Sequence, residues 1–187
     1  MLHLKARAKQ LRLNFELPPE LPLYVQADEN KLRQVLINLL ENAIKFTSSG
    51  SVILRVNVEG EIGEEKKEIE DSNFSLRLQF QIKDTGKGMA PEELEHIFDA
   101  FVHSSPTYET EDGTGLGLAI CKRFVQLMGG DIEIQSTLEK GTIVQFSVLL
   151  GLTEQPPELT QTTPKGRILG LKPNQQNNHI LVVEDHW

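Results

Sequence analysis

The chain has 187 residues, 39% hydrophobic and 25% charged, the make-up of one globular domain with a sizeable core and room for a tail. With 19 basic against 27 acidic side chains the net charge is −8, which repels phosphate backbones and anionic lipid, so neither nucleic-acid binding nor membrane contact is expected. One cysteine, Cys121, rules out an internal disulfide and a zinc module, and no apolar run approaches the roughly 18 residues of a membrane helix; a reducing, cytoplasmic setting is expected, with any membrane anchor outside this chain.

Asp28 suits the N-cap of a helix in which Leu32, Val35, Leu36, Leu39, Leu40 and Ala43 recur at spacings of three and four, predicted to reach Phe46 or Thr47 and to stop at Ser48-Ser49-Gly50. Val52, Leu54, Val56 and Val58 then alternate as a half-buried strand, and Phe74, Leu76, Leu78, Phe80 and Ile82 as a second. Between them Glu59 to Asn73 holds seven acids and two lysines, the composition of a solvated hairpin loop. Pro91 opens a short helix predicted through Phe101, followed by a polar loop without period, Val102 to Asp112. From Gly115, the residues Leu116, Ala119, Ile120, Phe124, Leu127 and Met128 mark another amphipathic helix, closed by Gly129-Gly130. Two more strands, Asp131 to Ser136 and Thr142 to Leu150, are predicted to meet at a turn containing Gly141. Beyond Leu150 come Pro156, Pro157, Pro164, Pro173 and a run of Asn and Gln at 174–178, read as a flexible linker over 151–178. The chain finishes on a strand-like run, Ile180-Leu-Val-Val183, before Glu184-Asp185.

Three constellations carry possible chemistry. On the first long helix, at about 100° per residue, Asn38, Glu41, Asn42 and Lys45 share one arc beside the apolar stripe. Such a stripe is commonly a solvated face, but two asparagines inside a helix work against propensity and leave room for oxygen ligands to a hard cation. The core-facing alternation of the second strand lands on Asp84, and Gly86 and Gly88 follow at once. This is either a strand end with a glycine turn or a buried acceptor for an exocyclic amine, with space for a flat ring. Third, Gly113-Thr114-Gly115-Leu116-Gly117 runs into a helix start, where unpaired N–H groups suit phosphate oxygens. Its spacing fits neither the dinucleotide fingerprint nor the P-loop, and a plain glycine-rich loop is the competing reading.

In order, Asn38-Leu-Leu-Glu-Asn42-Ala-Ile-Lys45-Phe-Thr, Asp84-Thr-Gly-Lys-Gly88, Ile97-Phe98-Asp-Ala-Phe101 and Gly113-Thr-Gly-Leu-Gly-Leu118 resemble the N, G1, F and G2 boxes of sensor histidine kinases. The resemblance covers about residues 10 to 150, the ATP-binding catalytic domain of the GHKL superfamily. It implies an α+β two-layer sandwich, a mixed β-sheet covered on one face by helices, and the cofactors ATP and Mg2+. By resemblance Asn42 ligates magnesium, supported by Asn38 and Glu41, and Lys45 meets the phosphates. Asp84 accepts from the adenine amine, Gly86 and Gly88 floor the base pocket, Phe46 and Ile82 wall it, and Thr142 reaches adenine through water. Gly113, Thr114, Gly115, Leu116 and Gly117 hold the phosphates, and Val102 to Asp112 is the lid.

The chain departs from that family's pattern in two respects. The lid segment carries His103 and the acids Glu109, Glu111 and Asp112, but no Arg or Lys. No helical hairpin with a His–acid pair is present either: His3 precedes Leu4, and residues 1–9 are read as the end of a preceding dimerisation hairpin. Residues 179–187 resemble the first strand of a receiver domain. The function so implied is transfer of the γ-phosphoryl group of Mg-ATP to a histidine. The partners would be the dimerisation and phosphotransfer domain of the same protein and a receiver domain or response regulator. An ATP-hydrolysing clamp, which places a glutamate where Asn38 stands, and a non-catalytic ATP-binding module are the alternatives. His96 is read as an exposed helix residue, and Cys121, Phe98 and Phe101 as core.

Overall fold

Residues 1–19, 21–22, 24–59, 75–99 and 115–152 are described in a computed structural model. The expected acidic loop beyond Glu59, Phe101, the lid, Gly113, Thr114, the linker from 153 and the receiver-like strand lie outside the described residues.

The capped helix starts where its N-cap dictates. Asp28 is extended (φ −78°, ψ 91°), its Oδ1 accepts from the Lys31 N–H at 3.0 Å, and α2 runs Glu29–Phe46. The bonds from Lys31 hold the Asp28 carboxyl below its ordinary value. Val35, Leu39, Leu40, Ala43 and Ile44 form the buried stripe of α2. Thr47 ends it by turning extended and donating its hydroxyl back to the Ala43 carbonyl at 2.7 Å.

Preceding α2 are α1 (Leu2–Ala8), β1 (Arg12–Glu16) and β2 (Val25–Gln26); following it are β3 (Ser51–Glu59), β4 (Ser75–Asp84), α3 (Pro91–Glu95), α4 (Gly117–Leu127), β5 (Ile132–Thr137) and β6 (Gly141–Leu152). The sheet order is β1-β3-β4-β6-β2, with β5 also on β6. β1 pairs parallel with β3, and every other pair is antiparallel, so the sheet is mixed.

Register places Val52, Leu54 and Val56 beside Asp84, Ile82 and Phe80, and Ile82, Phe80 and Leu78 beside Val144, Phe146 and Val148, all on one face and all buried. Phe80 and Phe146 stack with centroids 4.8 Å apart. The helices α2 and α4 pack together over this face. The opposite face is polar: Arg55 Nε donates to Glu16 Oε2 at 2.7 Å and Nη1 to Gln81 Oε1 at 3.2 Å. This is the expected two-layer α+β sandwich.

Some predicted boundaries shift. The helix from Pro91 stops at Glu95 rather than Phe101, because the chain turns at His96 and Asp99 N–H bonds the His96 carbonyl at 2.9 Å. α4 begins at Gly117 rather than Gly115, because Gly115 is left-handed (φ 66°). The β5–β6 turn is Leu138-Glu139-Lys140, and Gly141 opens β6. His96 is exposed and pairs with Asp99, Phe98 packs on the core, and Cys121 is fully buried.

Candidate functional site

At the Asp84 end of the sheet, α2, the turn after β4, α3, α4, β5 and β6 surround a cleft of about 690 Å³, its open mouth included. Leu39, Ala43, Ile82, Leu118, Ile134 and Val144 give it an apolar lining. Of the residues singled out in the sequence, Asn42, Phe46, Asp84, Gly88 and Thr142 also line it, together with Ile82.

Asp84 is 7% exposed, and burial pushes its carboxyl above the usual carboxylate range against two backbone bonds that pull the other way. Both bonds end on Oδ1, from Gly86 N at 2.8 Å and Thr142 N at 3.2 Å, and Oδ2 takes part in neither. The carboxylate is thus fixed in rotation at the wall of an apolar cleft.

The two glycines of the turn are there for close approach. A Cβ on Gly86 would lie 2.5 Å from the Phe46 carbonyl oxygen and 2.9 Å from Asp84 Oδ1. Gly88 is left-handed (φ 65°), and a Cβ there would run into the Thr137 carbonyl. The turn is further pinned by Lys87 N donating to the Phe46 carbonyl at 3.3 Å.

Thr142 belongs to a polar relay that sequence reading missed. Ser136 Oγ donates to the Gly141 carbonyl at 3.1 Å, receives the Met89 N–H at 2.9 Å and lies 2.9 Å from Thr142 Oγ1. With its single hydrogen directed at Gly141, Ser136 accepts from Thr142. Ser136 therefore ties the turn after Asp84 to β6.

The remaining described candidates are not among the lining residues. Asn38 faces α4, where a Cβ on Gly117 would be 3.8 Å from its Nδ2; on the same helix the Cys121 thiol donates to the Val35 carbonyl at 4.0 Å, and burial pushes it up to about 11. Glu41 is paired with Lys5 of α1 at 2.7 Å. Lys45 lies over the Phe46 ring, its Nζ 5.5 Å from the centroid, and Lys87, a cleft residue not singled out in the sequence, lies 5.3 Å from the same ring. Gly115 makes the left-handed bend into α4, Leu116 is the N-cap and carries no side-chain acceptor, and Gly117 is the first helical residue. A helix start of this kind presents N–H groups of the sort that suit an anion. No cluster of three or more His, Cys, Asp or Glu that could hold a metal occurs among the described residues. Asn42 brings to the cleft lining an amide oxygen, a hard donor of the kind a divalent cation accepts.

Comparison with known proteins places this geometry. Over 180 residues, 95% of this chain and 8% of the relative, the chain is 32% identical to the peroxide stress-activated histidine kinase mak2 of Schizosaccharomyces pombe. It is 35% identical over 145 residues, 77% of this chain and 7% of the relative, to hybrid signal transduction histidine kinase B of Dictyostelium discoideum. With the sensor protein GacS of Pseudomonas syringae the figures are 33% over 177 residues, 94% of this chain and 18% of the relative. The chain thus spans less than a fifth of the length of these relatives. Among solved structures, full-length ShkA in complex with AMPPNP matches at TM-score 0.63 and 32% identity, over 81% of this chain and 29% of that one. The mycobacterial sensor histidine kinase MprB shares the fold at TM-score 0.55 and 22% identity, over 80% of this chain and 90% of that one. Residues 27–152, two thirds of the chain, match the family described as histidine kinase-, DNA gyrase B-, and HSP90-like ATPase, and the chain belongs to that family.

Proposed function

We propose that this chain is the catalytic domain of a sensor histidine kinase, binding Mg-ATP in the cleft and presenting the γ-phosphoryl group to a histidine on a separate helical domain. The observation that carries the ATP reading is the buried Asp84, held through Oδ1 with Oδ2 outside both bonds at the end of an apolar cleft. There it accepts from the adenine amine, while Ile82, Phe46 and the glycine turn bound the ring. Asn42 holds Mg2+ by its amide oxygen with Asn38 and Glu41 behind it, Lys45 meets the phosphates, and the start of α4 with Gly113 to Gly117 holds their oxygens. The metal supplies charge neutralisation on the phosphates.

The catalytic contribution of these residues is positioning and electrostatic stabilisation. An amide at position 38 takes no proton, so water is not deprotonated there and transfer goes to a protein acceptor. The partners follow: a dimerisation and histidine phosphotransfer domain, and a receiver domain or response regulator downstream. Among the described residues no helix is long and apolar enough to cross a membrane, and the buried thiol of Cys121 agrees with a cytoplasmic domain.

The test is transfer. With radiolabelled ATP, the chain alone should neither label itself nor release phosphate above background, and a supplied helical hairpin bearing a histidine should become labelled. Brisk phosphate release that ignores the hairpin would instead identify an ATP-hydrolysing clamp, and ATP binding with neither outcome a non-catalytic module.

A further inference from the structure

The end of α2 has to satisfy the carbonyls that a last helical turn leaves without intrahelical partners. It does so from three parts of the chain. Ala43 O takes the Thr47 hydroxyl at 2.7 Å, and Phe46 O takes Lys87 N from the turn after Asp84 at 3.3 Å. Ile44 O and Lys45 O both take the ammonium of Lys9, at 2.9 and 2.6 Å, and Thr47 O lies 3.5 Å from it. A cation at this position also opposes the negative end of the helix.

Lys9 is the C-cap of α1, and Lys5, one turn earlier on the same face, pairs with Glu41 at 2.7 Å. Ala6, between these lysines, is buried at 2% exposure. Left-handed Gln10 then stops α1, and Leu11 N bonds back to the Ala6 carbonyl at 2.9 Å. The N-terminal segment therefore lies along the last two turns of α2, fastened at both.

The turn that Lys9 holds carries Lys45 and Phe46, and Phe46 lines the cleft. We propose that Lys9 is a positioning residue for the nucleotide site: by capping α2 it sets where Lys45 and Phe46 stand, and it makes affinity for the phosphate chain depend on α1 being docked. The inference rests on the ATP reading above.

The experiment is a double-mutant cycle by calorimetry on the whole chain, with ATP and adenosine as probes, comparing wild type, Lys9→Met, Lys45→Met and the double variant. Lys9→Met should lower ATP affinity about fivefold or more and adenosine affinity less, Lys9→Arg should restore most of the loss, and Lys9→Met should add little in the Lys45→Met background. A cap that is only structural would lower the melting temperature and leave the ATP-to-adenosine ratio unchanged. That result, or effects of Lys9→Met and Lys45→Met that simply multiply, overturns the proposal. Should Lys9→Met not fold, Lys9→Gln, which keeps a donor for one carbonyl, takes its place with the same two outcomes. If folded wild type binds neither probe, the ATP reading falls and this inference with it; if wild type binds ATP and Lys9→Met binds it equally, only this inference falls.

Discussion

The Thr142 N–H and the Asp84 Oδ1, 58 residues apart in the chain, are joined at 3.2 Å across the β4–β6 pair. With Gly86 N on the same oxygen, this bond decides which carboxylate oxygen is left for a ligand. It also decides what an isosteric amide does at this position.

In Asp84→Asn the two backbone donors keep the amide oxygen in the place of Oδ1, so the NH2 group stands where Oδ2 was and faces the adenine amine donor to donor. Loss of the acceptor and the unpaired donors should together weaken ATP binding at least tenfold, about 1.4–3 kcal/mol, in calorimetric titration. Unchanged affinity would remove Asp84 from the adenine role.

Acidification should act through the same group. Burial raises the Asp84 carboxyl above 3.8, so the native state holds this proton over a range of pH where the unfolded chain has lost it. Above that range the buried charge opposes folding, and the opposition disappears as pH falls through the native value. Urea titrations between about pH 7 and about pH 4 should show wild type gaining stability relative to Asp84→Asn as pH falls. ATP affinity should move the other way, declining in wild type as the acceptor is protonated and declining less in Asp84→Asn.

Gly86→Ala should damage the cleft more than the fold. The added methyl meets the Phe46 carbonyl and Asp84 Oδ1, so the turn must move off the end of α2 and the Lys87 N–H bond to Phe46 lengthens. A loss of about 1–3 kcal/mol in stability is expected, with ATP affinity falling at least tenfold. Titration of folded protein, checked by circular dichroism, separates the two effects.

Phe80→Ala tests the sheet under the site. It empties the stack on Phe146 in the middle of the buried face and should cost about 3–5 kcal/mol in urea unfolding. A much smaller loss would mean that the core closes over the gap.

The long amphipathic elements were legible because their signal is local. Val35, Leu39 and Ala43 announce α2 by their spacing, and the alternation from Leu76 to Ile82 announces β4 and delivers Asp84 to the cleft. Hidden features depend on partners far along the chain. Leu11, Leu13 and Phe15 alternate, but β1 finds its parallel neighbour only at β3, with no hairpin to mark the pairing. β2 has two residues, too few for any period, and exists because β6 extends to Leu152. Ser136 reads as one more polar residue on a strand until Met89 N is seen to donate to it. Lys9 reads as part of the end of a preceding hairpin, and the carbonyls it caps lie 35 to 38 residues away. Conversely Glu41, grouped with Asn42 by helical spacing, is turned to α1 by Lys5, a partner outside its own helix.

The antiparallel pair β3–β4 has a practical consequence for measurement. Ser75 starts β4 nine residues before Asp84, and Glu59 pairs with Arg77, seven residues before it, so at about 3.3 Å per residue both lie roughly 20–30 Å along the sheet from the cleft. A fluorescent reporter or affinity handle inserted between Glu59 and Ser75 would join the fold at that remote end, so immobilised or labelled protein could report nucleotide binding with Asp84, Asn42 and the capped end of α2 left in their native setting.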